Sequence, residues 1–382
     1  MTHYTKSLLG KAAALQITVS CLALLMILVA MCTLAQVKLG TWGAVDVYMR
    51  SFFLYAEAGP LPKIPVFPGG ALVGLVLVVN LMAAQWLRFK RTWRQAGLWL
   101  AHIGLVLLFA GEYITGMYAQ ETQMALREGE TRQFTENPRD LELALIDVSH
   151  DQYDEVFSIV DSMLAKRRII NHSRLPFQIF VKQYYRNSMI APAVDNGGSS
   201  LATHGVGQRL NVTEAPPVLG DDKINQTAAF IEVMAGDRSL GTWLVSNGIE
   251  SAQEFEHDGR RWRLAMRHQR QYLPFSLTLK DFRHDRYPGT DIPKNFSSLV
   301  HLNHPDQGQS RDILIYMNNP LRYAGKAFYQ ASFGENDTLS VLQVVDNPGW
   351  VLPYVSCVLI TLGLIVHFVL KMRESRKRTA YL

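Results

Sequence analysis

Two histidines lie inside stretches that are otherwise almost wholly apolar: His102 within Ala96–Tyr118 and His367 within Trp350–Leu370. An ionisable side chain is costly in such a setting unless it faces other protein and finds a partner. A neutral imidazole there offers a lone pair that suits a metal, haem iron among them. His102 stands six residues after its stretch begins and His367 three before its own ends. At about 1.5 Å rise per residue both are expected roughly 5–10 Å below one face of a bilayer. From there they can share one iron, or each can meet a ligand from a partner subunit. A plainer role is also open to each, a hydrogen bond to a helix carbonyl or a reach towards the interface. Glu112, near the far end of the same stretch as His102, is expected to be an interfacial acid rather than a proton relay.

The other nine histidines carry little metal signal. His301 and His304 are three apart with Asp306 following, and His268 and His284 flank a pair of expected strands, but none forms an HExxH or a helical HxxxH. No GxSxG, P-loop or dinucleotide fingerprint occurs, and no catalytic acid or base is assigned. The three cysteines, Cys21, Cys32 and Cys357, all lie in apolar stretches and are read as small lipid-facing residues. The large polar segment therefore has neither a disulfide nor a CxxC site.

The elements that would position the two histidines follow from hydropathy and charge. Four stretches, 12–37, 69–87, 96–118 and 350–370, are each long enough to cross a hydrocarbon core of about 30 Å. The first is too long for the apolar core of a signal peptide and lacks a clear cleavage site, so it is read as a retained anchor. Eleven Lys/Arg fall in the segments 1–11, 88–95 and 371–382, against three in the loop 38–68. The positive-inside rule puts all three basic segments in the cytoplasm and residues 119–349 outside. In that outer segment the 24 Lys/Arg are outnumbered by 29 Asp/Glu, so the overall net charge of +5 belongs to the membrane flanks and nucleic acid is not an expected partner.

Within 119–349, short runs rich in β-branched and aromatic residues predict strands at Leu141–Val148, Phe177–Tyr185, Ala228–Met234, Trp243–Ser246, Arg261–Met266, Phe275–Asp281, Ile313–Met317, Ala327–Ser332 and Leu339–Val345. Turn clusters such as Asn196-Gly197-Gly198 and Asn318-Asn319-Pro320 separate them. Asp151–Ile170 has a weak helical period, and Met189–Leu219 reads as a long loop. The expected fold is a polytopic α-helical membrane protein of four transmembrane helices, with a large extracytoplasmic β-rich, sandwich-like domain between helices three and four.

This order resembles the ResB family of system II cytochrome c biogenesis. The residues that carry the resemblance are Leu126-Arg127-Glu128-Gly129-Glu130-Thr131, Tyr287-Pro288-Gly289 through Phe296-Ser297-Ser298-Leu299-Val300, the run Pro320–Gly334 and Asp346-Asn347-Pro348-Gly349-Trp350. Residues 140–228 match only in character, and 382 residues is compact for the family. The resemblance implies a ResC/CcsA-type membrane partner, with which haem is moved outward and presented to the CxxCH cysteines of apocytochromes c, alongside thiol-reducing maturation proteins. It implies non-covalent, transient haem b, with His102 as the stronger and His367 as the weaker candidate for the iron, and a location in the bacterial inner membrane. The seven tryptophans never cluster as the partner's haem-handling motif does, so the chain resembles the ResB half alone. Two other readings share much of this organisation: a scaffold for the partner that binds no haem, and a membrane-anchored β-rich sensor.

Overall fold

A computed structural model describes residues 10–56, 64–88, 92–166, 169–193, 200–218, 224–290, 293–335 and 337–379. Lys6, Lys90 and Arg91 of the basic segments and the Asn196-Gly197-Gly198 turn lie outside the described residues. Internal contacts divide the chain into a helical unit, up to Gln120 and from Asp346 onwards, and a β unit between Glu121 and Val345.

The helical unit holds α1 (Leu15–Val45), α2 (Gly70–Arg88), α3 (Ala96–Tyr118) and α5 (Leu352–Thr379), with the one-turn α4 (Asp161–Ala165) belonging to the β unit. Four spans, Leu15–Arg50, Gly70–Leu87, Trp93–Tyr118 and Leu352–Arg376, are long and apolar enough to cross a membrane. α1 runs past the expected end at Val37 until Gly40 breaks it with φ 70° and ψ 170°, a conformation that glycine adopts without a Cβ penalty. The pairing of α1 with α2 rests on a small apolar cluster and one buried amide. Asn80, 3% exposed, donates to the carbonyls of Ala12 (2.6 Å) and Ala14 (3.0 Å) and accepts from Thr18 Oγ1 (2.6 Å). In hydrocarbon such a side chain satisfies itself only against another helix, so it sets which faces of α1 and α2 meet. Cys21 is buried in this cluster and Cys32 is buried as well, because both sit on helix faces turned to protein; only Cys357 is exposed.

The β unit is built on one strand of 27 residues, Arg260–Arg286, where two separate strands were expected. A strand of that length can serve two cores only if its side chains change face midway. Its even-numbered Trp262, Leu264 and Met266 enter one apolar cluster, whereas Leu273, Phe275, Leu277 and Leu279 enter another. Register breaks between His268 and Arg270 and between Tyr272 and Leu277 make the change. A further break between Leu279 and Asp281 restores the first parity, so Phe282 also points inward. Around the first cluster, the sheet Arg238–Ser246, Ala228–Ala235, Gln178–Tyr185, Ile169–Ile170 faces the long strand and its neighbour Thr131–Asp147, as a sandwich would. Around the second, the large sheet curls until its edge strand Gln309–Tyr316 approaches Leu321–Tyr323 and Lys326–Gly334 at its far end.

Three other expectations change. Pro293–His304 is a full strand between Arg260–Arg286 and Gln309–Tyr316. Glu155–Val160 is a strand, not helix, because pairing with Glu142–Asp147 buries Phe157 and Ile159 in the first core, and only Asp161–Ala165 turns helical. The segment read as a loop contains a ribbon, Ser188–Pro192 against Leu210–Glu214.

The family-like motifs are anchors of this scaffold. Leu126–Thr131 contains a tight turn with Gly129 at φ 79°, closed by Arg127 N–H donating to the Glu130 carboxylate (3.0 Å). The Glu128 carboxylate accepts from the Phe282 N–H (2.8 Å) beside the break at Leu279/Asp281, where the regular ladder is interrupted. In Pro320–Gly334, Ala324 (φ 49°) and Gly325 (φ 78°) make the two-residue left-handed turn that a hairpin's twist requires, and Phe328 is fully buried. The next hairpin loop is held by charge: Arg127 grips Glu335 through two nitrogens (2.7 and 2.5 Å), and His284 and Arg286 grip Asp337 (2.8 Å each).

Two consequences can be measured. Glu142, 2% exposed, meets Arg267 (2.9 Å) and the Ser158 hydroxyl, so Arg267→Ala leaves a buried carboxylate without its counter-charge and should cost on the order of 3 kcal/mol in denaturant unfolding; a loss below about 0.5 kcal/mol would contradict that role. Hydrogen bonds from Arg127 hold the Glu335 carboxyl below its usual range, and the His284 hydrogen bond, ahead of Arg286, does the same for Asp337. A carboxyl depressed in the folded state contributes stability that is complete above about pH 4 and vanishes as pH falls through the lower folded value. Amides of the hairpin 326–346 should therefore lose hydrogen-exchange protection below about pH 4, and Arg127→Ala should weaken that step; unchanged protection at pH 3 would contradict the clamp.

Candidate functional site: the seam of α3 and α5

Both candidate histidines belong to the helical unit, on α3 and α5, which pack along their lengths. The contact is made by glycines at seven-residue spacing. Gly97, Gly104 and Gly111 of α3 are all buried, and an added Cβ would lie 2.4 Å from the His367 backbone nitrogen, 2.8 Å from Ile360 Cγ1 and 2.9 Å from Leu352 Cβ respectively. From the other side, a Cβ on Gly363 would lie 2.5 Å from the backbone nitrogen of Ala101. The two backbones touch, which is how helices associate where lipid removes the hydrophobic drive. At the far end of the pair, Asn347 of the Asp346–Trp350 motif donates to Thr115 Oγ1 (3.2 Å) and accepts from the Gly349 N–H (2.8 Å), tying the end of α3 to the start of α5.

This seam decides where the imidazoles go. Gly97 packs on the His367 backbone, so His367 is level with Gly97, and His102 stands five residues further along α3, about 7.5 Å. At 100° per residue, His102 is rotated about 140–160° from Gly97 and Gly104. It therefore faces away from α5, whereas His367 sits on the α5 face that meets α3. The two share neither depth nor a side of α3, and the structure does not bring them together around one ion. The arrangement in which each meets a ligand from elsewhere is the one this packing suits.

Each imidazole has a distinct state. His102, half-buried, has Nδ1 2.9 Å from the Leu98 carbonyl, which can only accept; the proton of the neutral ring is thus on Nδ1 and the lone pair on Nε2. The same bond orients metal-ligating histidines elsewhere. It is equally the helix-carbonyl bond open to a structural histidine. His367, also half-buried, stacks edge-on against Phe368, and its Nδ1 is buried with no hydrogen-bond partner. Gln95 Oε1, just before α3, is buried and unpartnered too. In donor chemistry both rings fit haem iron. Glu112 is exposed, as an interfacial acid would be.

Sequence reading missed the glycine seam, although the spacing Gly97–Gly104–Gly111 is visible in the chain. It named His284 and His301 only to set them aside, because the Asp337 contact and the Ser310–His301–Asp312 network are assembled by the fold of the β unit. His284 Nδ1 meets Asp337, its side chain is 3% exposed, and it lies among Phe296 and Phe333 with Nε2 buried and unpartnered. His301 Nδ1 meets Asp312 at 2.6 Å and Ser310 Oγ lies 3.1 Å from His301 Nε2. That connectivity resembles a nucleophile relay. It lies on an exposed sheet face, and Lys280 holds the other Asp312 oxygen (2.8 Å), keeping the carboxyl low and weakening its support of an imidazolium. His304 is tied to Tyr323 instead (2.7 Å). Among the described residues no three His, Cys, Asp or Glu are placed to hold a metal ion.

Comparison with known proteins bears on the β unit. Residues 237–341 match the model of the ResB-like family. Protein NrfI of Wolinella succinogenes is 39% identical over 93 residues, 24% of this chain and 10% of that protein, so the match spans a tenth of the relative's length. The matched family segment holds the whole of the long strand and the Pro320–Gly334 hairpin, and neither histidine-bearing helix. Over residues 237–341, which contribute to both cores of the β unit, the chain is similar to the ResB-like family.

Proposed function

We propose that this chain is a cytochrome c maturation factor that acts with a ResC/CcsA-type membrane protein to carry haem across the bacterial inner membrane and present it to apocytochromes c bearing CxxCH. The ResB-like segment supports the biogenesis role. The observation that carries the haem reading is His102: a half-buried imidazole in a candidate span, its proton turned to Leu98 and its lone-pair nitrogen on the side of α3 away from α5. His102 would hold the iron through Nε2, and a second ligand would come from the partner and not from His367. Haem supplies the iron porphyrin that the cytochrome finally keeps; this chain's part is to present Nε2 and to exclude water around it.

The sides of the membrane follow from charge. The basic segments 1–11, 88–95 and 371–382 support a cytoplasmic side for themselves and an outer one for the β unit. There the β unit braces the partner and meets apocytochromes kept ready by thiol-reducing proteins. His367, within the seam, is a lesser candidate for haem. A sensor would need a ligand pocket in the β unit; one recess there, beside Ser246, Gln253 and Met266, is about 260 Å³, below the usual range of small-molecule sites.

The test is co-expression with a ResC-type partner, followed by a reduced-minus-oxidised spectrum of the purified complex. His102→Ala should lower co-purified haem and cytochrome c yield at unchanged protein abundance, and added imidazole should restore part of both. His367→Ala should lower haem less. Full haem content and full maturation with His102→Ala would overturn the ligand role and leave the scaffold reading in its place.

A further inference from the structure

The loop joining α1 to α2 contains a two-stranded antiparallel ribbon, Phe53–Ala56 against Ile64–Pro68. Its inner face is accounted for: Leu54 is buried, and Leu54 and Phe67, paired across the strands, pack on the α1–α2 cluster. Its outer face is not. Phe53, Tyr55, Ile64 and Val66 are 42, 54, 50 and 61% exposed, and Phe52 beside them 54%. No residue of 51–56 or 64–69 carries a charge. An exposed apolar patch so free of charge marks a surface that something covers.

What covers it follows from how the ribbon is fixed. Gly69 N–H donates to the Phe52 carbonyl (2.8 Å) and Ala71 N–H to that of Ser51 (3.2 Å), where α2 begins. A Cβ on Gly69 would lie 2.2 Å from the Ser51 oxygen, and one on Gly70 2.6 Å from the Met49 oxygen. The base of the ribbon is thus pressed onto the ends of two candidate spans, within one or two residues of each. Its height is set by the bilayer those spans cross. A two-stranded ribbon keeps unpaired N–H and C=O groups along both outer edges, which forbids the hydrocarbon but suits the hydrated headgroup layer. Tyr55, with Trp42 and Tyr48 nearby in sequence, is of the residue types that favour that layer.

We infer that the ribbon is a lipid-seated anchor. Phe53, Tyr55, Ile64 and Val66 lie among the headgroups and upper acyl chains at the α1–α2 end of the helical unit, and no protein covers them. The inference rests on α1 and α2 spanning the membrane. Its role is to hold that end of the unit at a fixed depth while α3 and α5 engage their partner.

The experiment uses the full chain in phosphatidylcholine–phosphatidylglycerol vesicles, with Cys21, Cys32 and Cys357 replaced by alanine. Single cysteines carry a nitroxide label at Val66, at Tyr55, at Val79 on the exposed face of α2 and at exposed Tyr153 in the β unit. Collision rates with oxygen, which enters lipid, and with a water-soluble nickel chelate are compared by electron paramagnetic resonance. The ratio of oxygen to nickel collisions at Val66 and Tyr55 should be several-fold higher than at Tyr153 and lower than at Val79. Nickel access at Val66 equal to that at Tyr153 overturns the proposal in favour of a ribbon in water. Protection from both reagents overturns it in favour of a protein cover. An aqueous ratio at Val79 would instead mean that the spanning assignment of α2 has failed, and the ribbon proposal with it.

Discussion

Backbone contact between α3 and α5 is the constraint on which the helical unit's chemistry depends. Gly97, Gly104 and Gly111 on one helix and Gly363 on the other leave no room for a single methyl group where they meet. Because the helices touch along that line, every other residue's direction on α3 is set relative to it. His102 is sent to the opposite side, and His367 is retained within the contact. A chain with larger residues in the seam would separate the helices and free both imidazoles to rotate towards one another. The seam holds them apart, so an iron bound by His102, as proposed, would take its second ligand from another protein and not from His367.

The β unit answers a different constraint, that one long strand must serve two cores. A one-residue change of register moves every side chain to the other face, and Arg260–Arg286 uses that twice. Each change leaves backbone groups to be satisfied. At the second, the Glu128 carboxylate does so for Phe282, from a turn that also lends Arg127 to the loop at Glu335 and Asp337. The motifs that resemble the ResB family therefore stabilise the scaffold, and their polar residues are spent on turns, bulges and hairpin loops.

Much of this was legible in the chain. Hydropathy located all four helices, and most strand cores were found because alternation survives burial on one face. Bulges are where the reading failed: the parity change at His268–Arg270 looks like the end of a strand, so one strand was read as two. Glu155–Val160 was misjudged because Val156, Ile159 and Val160 fit a helical period while Phe157 and Ile159, two apart, fit a strand, and only pairing with Thr131–Asp147 chooses between them. The histidines were found by their setting. Their mutual orientation was not, because it depends on glycines whose role is to contribute no side chain.

The claim that the seam orients the site has an unusually clean test, since alanine favours a helix over glycine by about 1 kcal/mol. Gly116, on the same helix, has nothing within 4 Å of an added Cβ. Thermal unfolding of the detergent-solubilised chain should show Gly116→Ala unchanged or stabilised, and Gly97→Ala and Gly363→Ala with a clearly lowered midpoint. Stabilisation by all three substitutions would show that α3 and α5 do not meet backbone to backbone, and the placement of His102 and His367 derived from that contact would fall.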